Sequence, residues 1–360
     1  MRAPKLSMEP RSHTLPAALA TETPPPFVSV IVPMRNERRY IERCLRSLAA
    51  QDYPPDRFEV IVVDGKSDDG SWDLVEAMRA ELPNLRVVEN RGRHTSRGLN
   101  IGLAFAHGDV IARVDAHASV SPDFLSECVA ALGRTGADVV GGPIQTLGEG
   151  AVGESVALAV SSPFGVGNAV FRYSQREQWT DTVAFPAYRR DVFDRIGPFA
   201  EIDGGEDDEF HYRLRDAGGH ILLTPSISST YYARRSYWEL ARQYFGYGQA
   251  KVVVLSRHPR QTRLRQLVPA AFVLALLASA ISAAFGGLLV LPLVALLGTY
   301  LALSLGVSAA VSRTRGWRHV ARLPLAFLCM HVAYGLGFLA GMLRRASGQP
   351  VARPKEAGAP

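Results

Sequence analysis

The pattern of apolar and polar positions divides the chain into two unlike parts. From residue 27 to 225, short β-branched apolar runs alternate with segments of helical period. FVSVIVP, FEVIVVD and DVIARVD read as strands buried on both faces, because their apolar positions run on instead of alternating strictly with polar ones. Between them, NERRYIERCLRSLAAQ, SWDLVEAMRAEL and TSRGLNIGLAFAHG follow the helical period. This alternation predicts an α/β domain with a mainly parallel sheet and helices on both faces. Ligands of such sheets gather at the carboxyl ends of strands, so the informative residues should follow each strand.

The second part carries a different pattern. Residues 267 to 312 hold 46 positions without Asp, Glu, Lys or Arg. One helix of that length would measure about 69 Å, against a hydrocarbon core of about 30 Å. Two spans joined near Gly286 and Gly287 fit instead. Residues 323 to 343 form a further uncharged run of about one membrane thickness. Arg257, Arg260, Arg263 and Arg265 precede the first span, and Arg313, Arg315, Arg318 and Arg322 follow the second. Both clusters belong on the cytoplasmic side, which a two-span hairpin satisfies. A complete third crossing would export Arg344, Arg345, Arg353 and Lys355 against that rule, whereas a re-entrant run would not. The pattern therefore predicts two or three helices in the cytoplasmic (inner) membrane, with the α/β domain facing the cytoplasm.

Composition refines this organisation. The first 26 residues contain six prolines and no apolar stretch longer than LPAALA. That is too weak for a secretory signal, and a disordered cytoplasmic leader is expected over 1–26. The α/β domain is then expected over 27–235, an amphipathic interfacial connector over 236–266, membrane helices over 267–345 and a tail over 346–360. Cys44, Cys128 and Cys329 lie far apart without paired spacing, which excludes a disulfide framework and a cysteine zinc site and agrees with a reducing compartment. No Gly-x-Gly-x-x-Gly follows the first strand, which argues against a dinucleotide-dependent oxidoreductase. No nucleic-acid partner is expected.

Candidate chemistry sits at strand ends and at one helix start. Pro33 closes the first strand, and Asn36 is placed to cap the following helix. Asp64 ends an apolar strand, where a carboxylate is unexpected unless a ligand or the backbone supplies donors. Asp115 ends the third quoted run, and His117 lies two residues on. In extended backbone they point to one side and can reach one cation or diphosphate. The stretch GGEDDEFHYRLRDAGG, residues 204 to 219, begins with Glu206, Asp207, Asp208 and Glu209 in a row. A helix dipole favours acids in a first turn, and Glu209 can pair with Arg213 one turn on. Alternatively, one of these acids is held at the helix start facing a cleft, as a catalytic base.

VSVIVPMRNE, EVIVVDGKSDDGS, LNIGLAFAHGDVIARVDAHA and GEDDEFHYRLRDAGG, in that order, give a definite resemblance. Residues 27 to about 250 resemble a family 2 glycosyltransferase of GT-A fold, and are most similar to the membrane-associated, succinoglycan-type glucosyltransferases of exopolysaccharide assembly. The resemblance implies an inverting enzyme that moves a sugar from a nucleoside diphosphate sugar, a UDP-sugar in the first instance, to a polyprenyl-diphosphate-linked or other lipid-linked acceptor. By position, Pro33, Asn36 and Glu37 would line the nucleotide pocket, and Asp64 would bind the base. Asp115 would bind ribose or diphosphate and, with His117, a divalent cation, Mg2+ or Mn2+. Asp207, paired with Glu206, would be the general base. Two features depart from the family pattern. The usual aspartate-x-aspartate is Asp115-Ala116-His117, and the Gln-x-x-Arg-Trp of processive synthases is absent after the base. QREQW at 175–179 precedes the base and has Gln178 in place of Arg. RRSYWELARQYFGYGQAK follows the base instead, as an interfacial helix in which Arg242 or Gln243 could contact diphosphate. The rival readings are a processive polysaccharide synthase and an inactive membrane scaffold of the same fold.

Overall fold

A computed structural model describes residues 24–202, 204–349 and 351. Most of the leader and most of the tail lie outside the described residues. Pro25 and Pro26, within the expected leader, accept hydrogen bonds from Arg57 and from the Tyr53 hydroxyl.

Strands β1 (Val28–Met34), β2 (Phe58–Asp64), β3 (Leu85–Glu89) and β4 (Val110–Arg113) pair in parallel in the order 3-2-1-4. The chain adds β5 (Ala118–Val120), β6 (Val139–Gly142), β7 (Ile144–Leu147), β8 (Gln178–Trp179), β9 (Ala184–Arg189), β10 (Ile221–Leu223) and β11 (Ser229–Tyr232). The main sheet continues from β4 through β9, β6, β10 and β8, with β9 and β8 reversed. β5, β11 and β7 make a smaller second sheet. β2 is buried at every position, Glu59 and Asp64 included, and Pro33 is the penultimate residue of β1.

Helices α1 (Ile41–Ala49), α2 (Ser71–Ala77), α3 (Thr95–Phe105), α4 (Phe124–Thr135), α5 (Gly150–Val160), α6 (Pro163–Val166) and α7 (Arg190–Ile196) connect the strands. Two apolar clusters, one on each face, sandwich the main sheet. α8 (Glu206–Asp216) carries the acidic stretch, and α9 (Tyr237–Arg257) follows the smaller sheet. α10 (Leu264–Ala283), α11 (Leu291–Arg315) and α12 (Leu323–Ala346) close the chain, each long and apolar enough to cross a membrane. Gly286 and Gly287, both with positive φ, turn α10 into α11.

α12 is the most covered of the three, because glycines let it approach α9 backbone to backbone. A Cβ on Gly337 would lie 2.0 Å from the Phe245 carbonyl oxygen, and one on Gly248 would lie 2.2 Å from that of Tyr334. No rotamer change relieves contacts with backbone. Gly337→Ala should therefore destabilise the protein by about 1–3 kcal/mol, read as a lower melting temperature in detergent. Gly298→Ala on α11, where an added Cβ meets nothing within 4 Å, should not lower the melting temperature. Equal melting of the two variants would contradict this packing.

Candidate active site

The acids of α8 explain themselves through their partners. Gly205, at φ 76°, starts the helix, and the helix dipole favours ionised carboxylates in its first turn. Glu206 is buried and lies 3.2 Å from the Arg113 guanidinium. Asp208 pairs with Lys251 of α9, and Glu209 pairs with Arg213 at 3.0 Å and His258 at 3.2 Å. Asp207 is the remaining one. Among the described residues it has no ion pair, and its Oδ1 accepts the Asp208 amide at 2.9 Å. Burial would raise the Asp207 pKa, but Arg113, His211, the amide and Lys251 outweigh it and hold the carboxyl below its ordinary range. His211 itself is pushed down to about 4, chiefly by burial, and meets the Thr182 hydroxyl at 2.8 Å. It is neutral near pH 7.

Arg113, at the end of β4, joins the two acidic motifs. Its Nε donates to Asp115 at 2.8 Å while Nη1 donates to Glu206. A buried guanidinium needs such partners, since leaving one unpaired is strongly destabilising. Reading by motif missed Arg113, although an arginine within an otherwise apolar strand was the signal.

His117 sits between two neighbours that orient it. Its Nδ1 lies 3.0 Å from Glu37, and its ring meets Tyr231 edge-on with centroids 5.6 Å apart. Burial opposes its protonation, but the bond to Glu37 and the charges of Glu37 and Asp115 prevail and raise it to about 9. With Nδ1 turned to a carboxylate, Nε2 is the nitrogen left for a metal, an arrangement common among metal-binding histidines. Among the described residues, no group of three or more His, Cys, Asp or Glu forms a metal site. Asp115 and His117 offer one carboxylate and one imidazole, so a cation held there would have to displace the Nε2 proton and draw further ligands from outside the protein.

A cleft of about 860 Å³ collects most of these residues. Pro33, Glu37, Asp115, His117, Glu206 and Asp207 all line it. Asn36 and Asp64 stand outside that lining. Asn36 does not cap a helix, since α1 begins at Ile41; with φ 55° it exchanges hydrogen bonds with Asp68 instead. The Asp64 carboxylate receives the amide and hydroxyl of Ser67, which satisfies it locally. Gln243 reaches the cleft and bonds the Tyr231 and Tyr247 hydroxyls. At its far end, the cleft runs between the apolar helices, where Pro269, Phe272, Tyr300, His331 and Tyr334 line it.

A 3-2-1-4 parallel sheet with acids at the ends of β4 and at the start of α8 defines a GT-A glycosyltransferase. Comparison with known proteins agrees. The profile of "Glycosyl transferase family 2" matches residues 29–197. The chain is 29% identical over 314 residues to the succinoglycan biosynthesis protein ExoA of Rhizobium meliloti, covering 86% of this chain and 93% of that protein. It is 27% identical over 327 residues to the dolichyl N-acetyl-alpha-D-glucosaminyl phosphate 3-beta-D-2,3-diacetamido-2,3-dideoxy-beta-D-glucuronosyltransferase of Methanococcus voltae, covering 88% and 98%. Among solved structures, the mannosyltransferase PcManGT of Pyrobaculum calidifontis, in complex with GDP-Man and Mn2+, superposes with a TM-score of 0.60 at 25% identity, covering 86% and 88%. The protein belongs to glycosyl transferase family 2 and is a glycosyltransferase enzyme.

Proposed function

We propose that this enzyme transfers a sugar, with inversion, from a nucleoside diphosphate sugar to a lipid-linked glycan acceptor at the cytoplasmic face of the membrane. One observation carries the reading: a single cleft runs from the ends of β1 and β4, past Asp207, to the apolar helices α10, α11 and α12. A water-soluble donor can enter at one end and a lipid-anchored acceptor at the other, with Asp207 between them. The relatives support both ends, since one is named for a dolichyl phosphate acceptor and PcManGT was solved with GDP-Man.

In this reading Pro33, Glu37, Asn90 and Arg93 face the nucleotide, all four lining the cleft. Asp207 accepts the proton of the acceptor hydroxyl as that oxygen attacks the anomeric carbon from the side opposite the diphosphate. Glu206 positions Arg113, which in turn positions Asp115. A divalent cation on Asp115 and His117 would neutralise charge on the leaving diphosphate. Membranes carrying the enzyme should move label from one member of a UDP-, GDP- and ADP-sugar panel onto extractable polyprenyl-linked glycan. Label that appears only in free sugar or in water-soluble polymer would overturn the acceptor assignment.

Metal dependence supplies a separate check. Transfer should stop in excess chelator and return with manganese or magnesium. His117→Asp exchanges a borderline nitrogen for a hard oxygen, so the preference should move toward magnesium. Full activity in chelator would remove the cation from this scheme.

A further inference from the structure

Beside His117 the cleft wall holds a guanidinium that nothing in the scheme above employs. Arg172 belongs to the segment between α6 and β8, which the sequence motifs leave without a role. Its guanidinium carbon lies 5.5 Å from the Phe171 ring centroid and 5.6 Å from that of Tyr231. Arg172 lines the cleft, and its Nη1 is without a hydrogen-bond partner among the described residues. An uncompensated buried donor on a charged group is costly, so the position implies a partner that arrives from outside.

The surroundings state what that partner is. Arg234 lines the same stretch of the cleft, and Gln243 donates to the Tyr231 hydroxyl at 3.1 Å. Tyr231 is a neighbour shared by Arg172 and His117, whose ring centroid is 5.6 Å from that of Tyr231. Aromatic faces hold the guanidinium in place without neutralising it. A planar fork of N–H donors fits a phosphate or carboxylate in bidentate fashion, and does so better than a lysine. The nearby acids are already engaged: Asp115 with Arg113, and Glu37 with His117.

We propose that Arg172, flanked by Arg234 and Gln243, binds a phosphate oxygen in the cleft, that of the donor's leaving diphosphate. This rests on the donor-site reading given above. The residue would then contact a reacting group, and its charge would act as the diphosphate departs. The phosphate of a lipid-linked acceptor offers the same chemistry, so the test separates the two sources.

The full chain, purified in detergent with manganese, would be titrated with UDP, GDP and ADP, and with the corresponding nucleosides. Arg172→Ala should weaken the bound nucleoside diphosphate about 10-fold or more while leaving its nucleoside unaffected. Arg172→Lys should recover part of that loss, because it keeps the charge and loses the fork. If nucleoside diphosphate binding is unchanged but the KM for a polyprenyl-linked acceptor rises by a similar factor, the phosphate belongs to the acceptor and the anion site stands. Unchanged affinity for both, with or without a lower melting temperature, would overturn the assignment and leave Arg172 a packing residue. Should the alanine variant fail to fold, Arg172→Gln preserves bulk and polarity and is read in the same way. Wild-type protein that binds none of the three nucleoside diphosphates would instead overturn the donor-site reading, and this inference with it.

Discussion

Asp207→Asn is expected to lower turnover about 100-fold or more while donor binding stays nearly unchanged. The substitution keeps the shape of the side chain and its contact with the Asp208 amide but removes its basicity. The other acids of α8 supply the contrast. Glu206 holds Arg113, Asp208 holds Lys251, and Glu209 holds Arg213 and His258, so replacing any of them strands a buried or half-buried cation. Their variants should lose stability along with activity. Asp207→Asn should lose activity with its melting temperature preserved, and that separation is the measurement. Near-normal turnover in this variant would remove Asp207 from the base role.

The pH dependence follows from the same environment. Although burial works against ionisation, Arg113 and the other donors keep the folded-state pKa of Asp207 below its ordinary 3.8. A depressed carboxylate contributes stability above its unfolded pKa and loses it as pH falls through the folded value. The base is therefore already ionised across the neutral range. An acid limb in kcat/KM above about pH 5 would come from another group.

The two kinds of residue in this site differ in how far they could be read from sequence. β1, β2 and β4 were legible because strands buried on both faces must be apolar, and the acids that end or follow them then stand out. Asp115 and His117 stood out in this way, at the end of a predicted strand, whereas Asp207 was singled out among four acids only by the family resemblance; all three line the one cleft. Asp64 and Asn36 stand out equally in sequence; the structure bonds them to Ser67 and Asp68 in adjoining loops, next to residues that line the cleft. The roles of Glu37, Arg113 and Arg172 depend on partners brought near by the sheet: Glu37 meets His117 across 80 positions, and Arg113 meets Glu206 across 93. No local pattern encodes such pairings. Asp181 is similar, because the arginines it joins, Arg215, Arg263 and Arg265, come from α8 and the start of α10.

Those arginine contacts lead to the second large expectation, that α10 and α11 cross the membrane and α12 does not. Arg263 and Arg265 bind Asp181, while Arg318 lies 2.9 Å from Glu154 on α5, so both ends of the hairpin abut the catalytic domain. An even number of crossings joins them. Along α12, the contacts do not advance toward the hairpin tip. His331 meets Tyr300 at 2.9 Å, but Gly335, further along, packs on Pro269 and Val273, and Phe338 clusters with Ala270 and Ile202. Successive turns thus move back toward the start of α10 and the catalytic domain. α9 runs beside it, with the Tyr237 hydroxyl on the Arg322 carbonyl at 3.1 Å and Val252 against Gly341. Polar contacts tie both ends of α9 to the catalytic domain: the Arg235–Glu149 salt bridge and the approach of His258 to Glu209 at 3.2 Å. An α12 laid across the membrane face keeps Arg344 and Arg345 on the cytoplasmic side, in accord with the excess of basic residues there. With the native cysteines replaced, a cysteine at Gly287 should react with an impermeant thiol reagent in intact cells, and cysteines at Thr314 and Ser347 should not. Labelling at both Gly287 and Ser347 is incompatible with the expected two-span arrangement. Labelling at Thr314 without Gly287 would reverse the orientation and place the donor site on the wrong side of the membrane for a cytoplasmic nucleotide sugar.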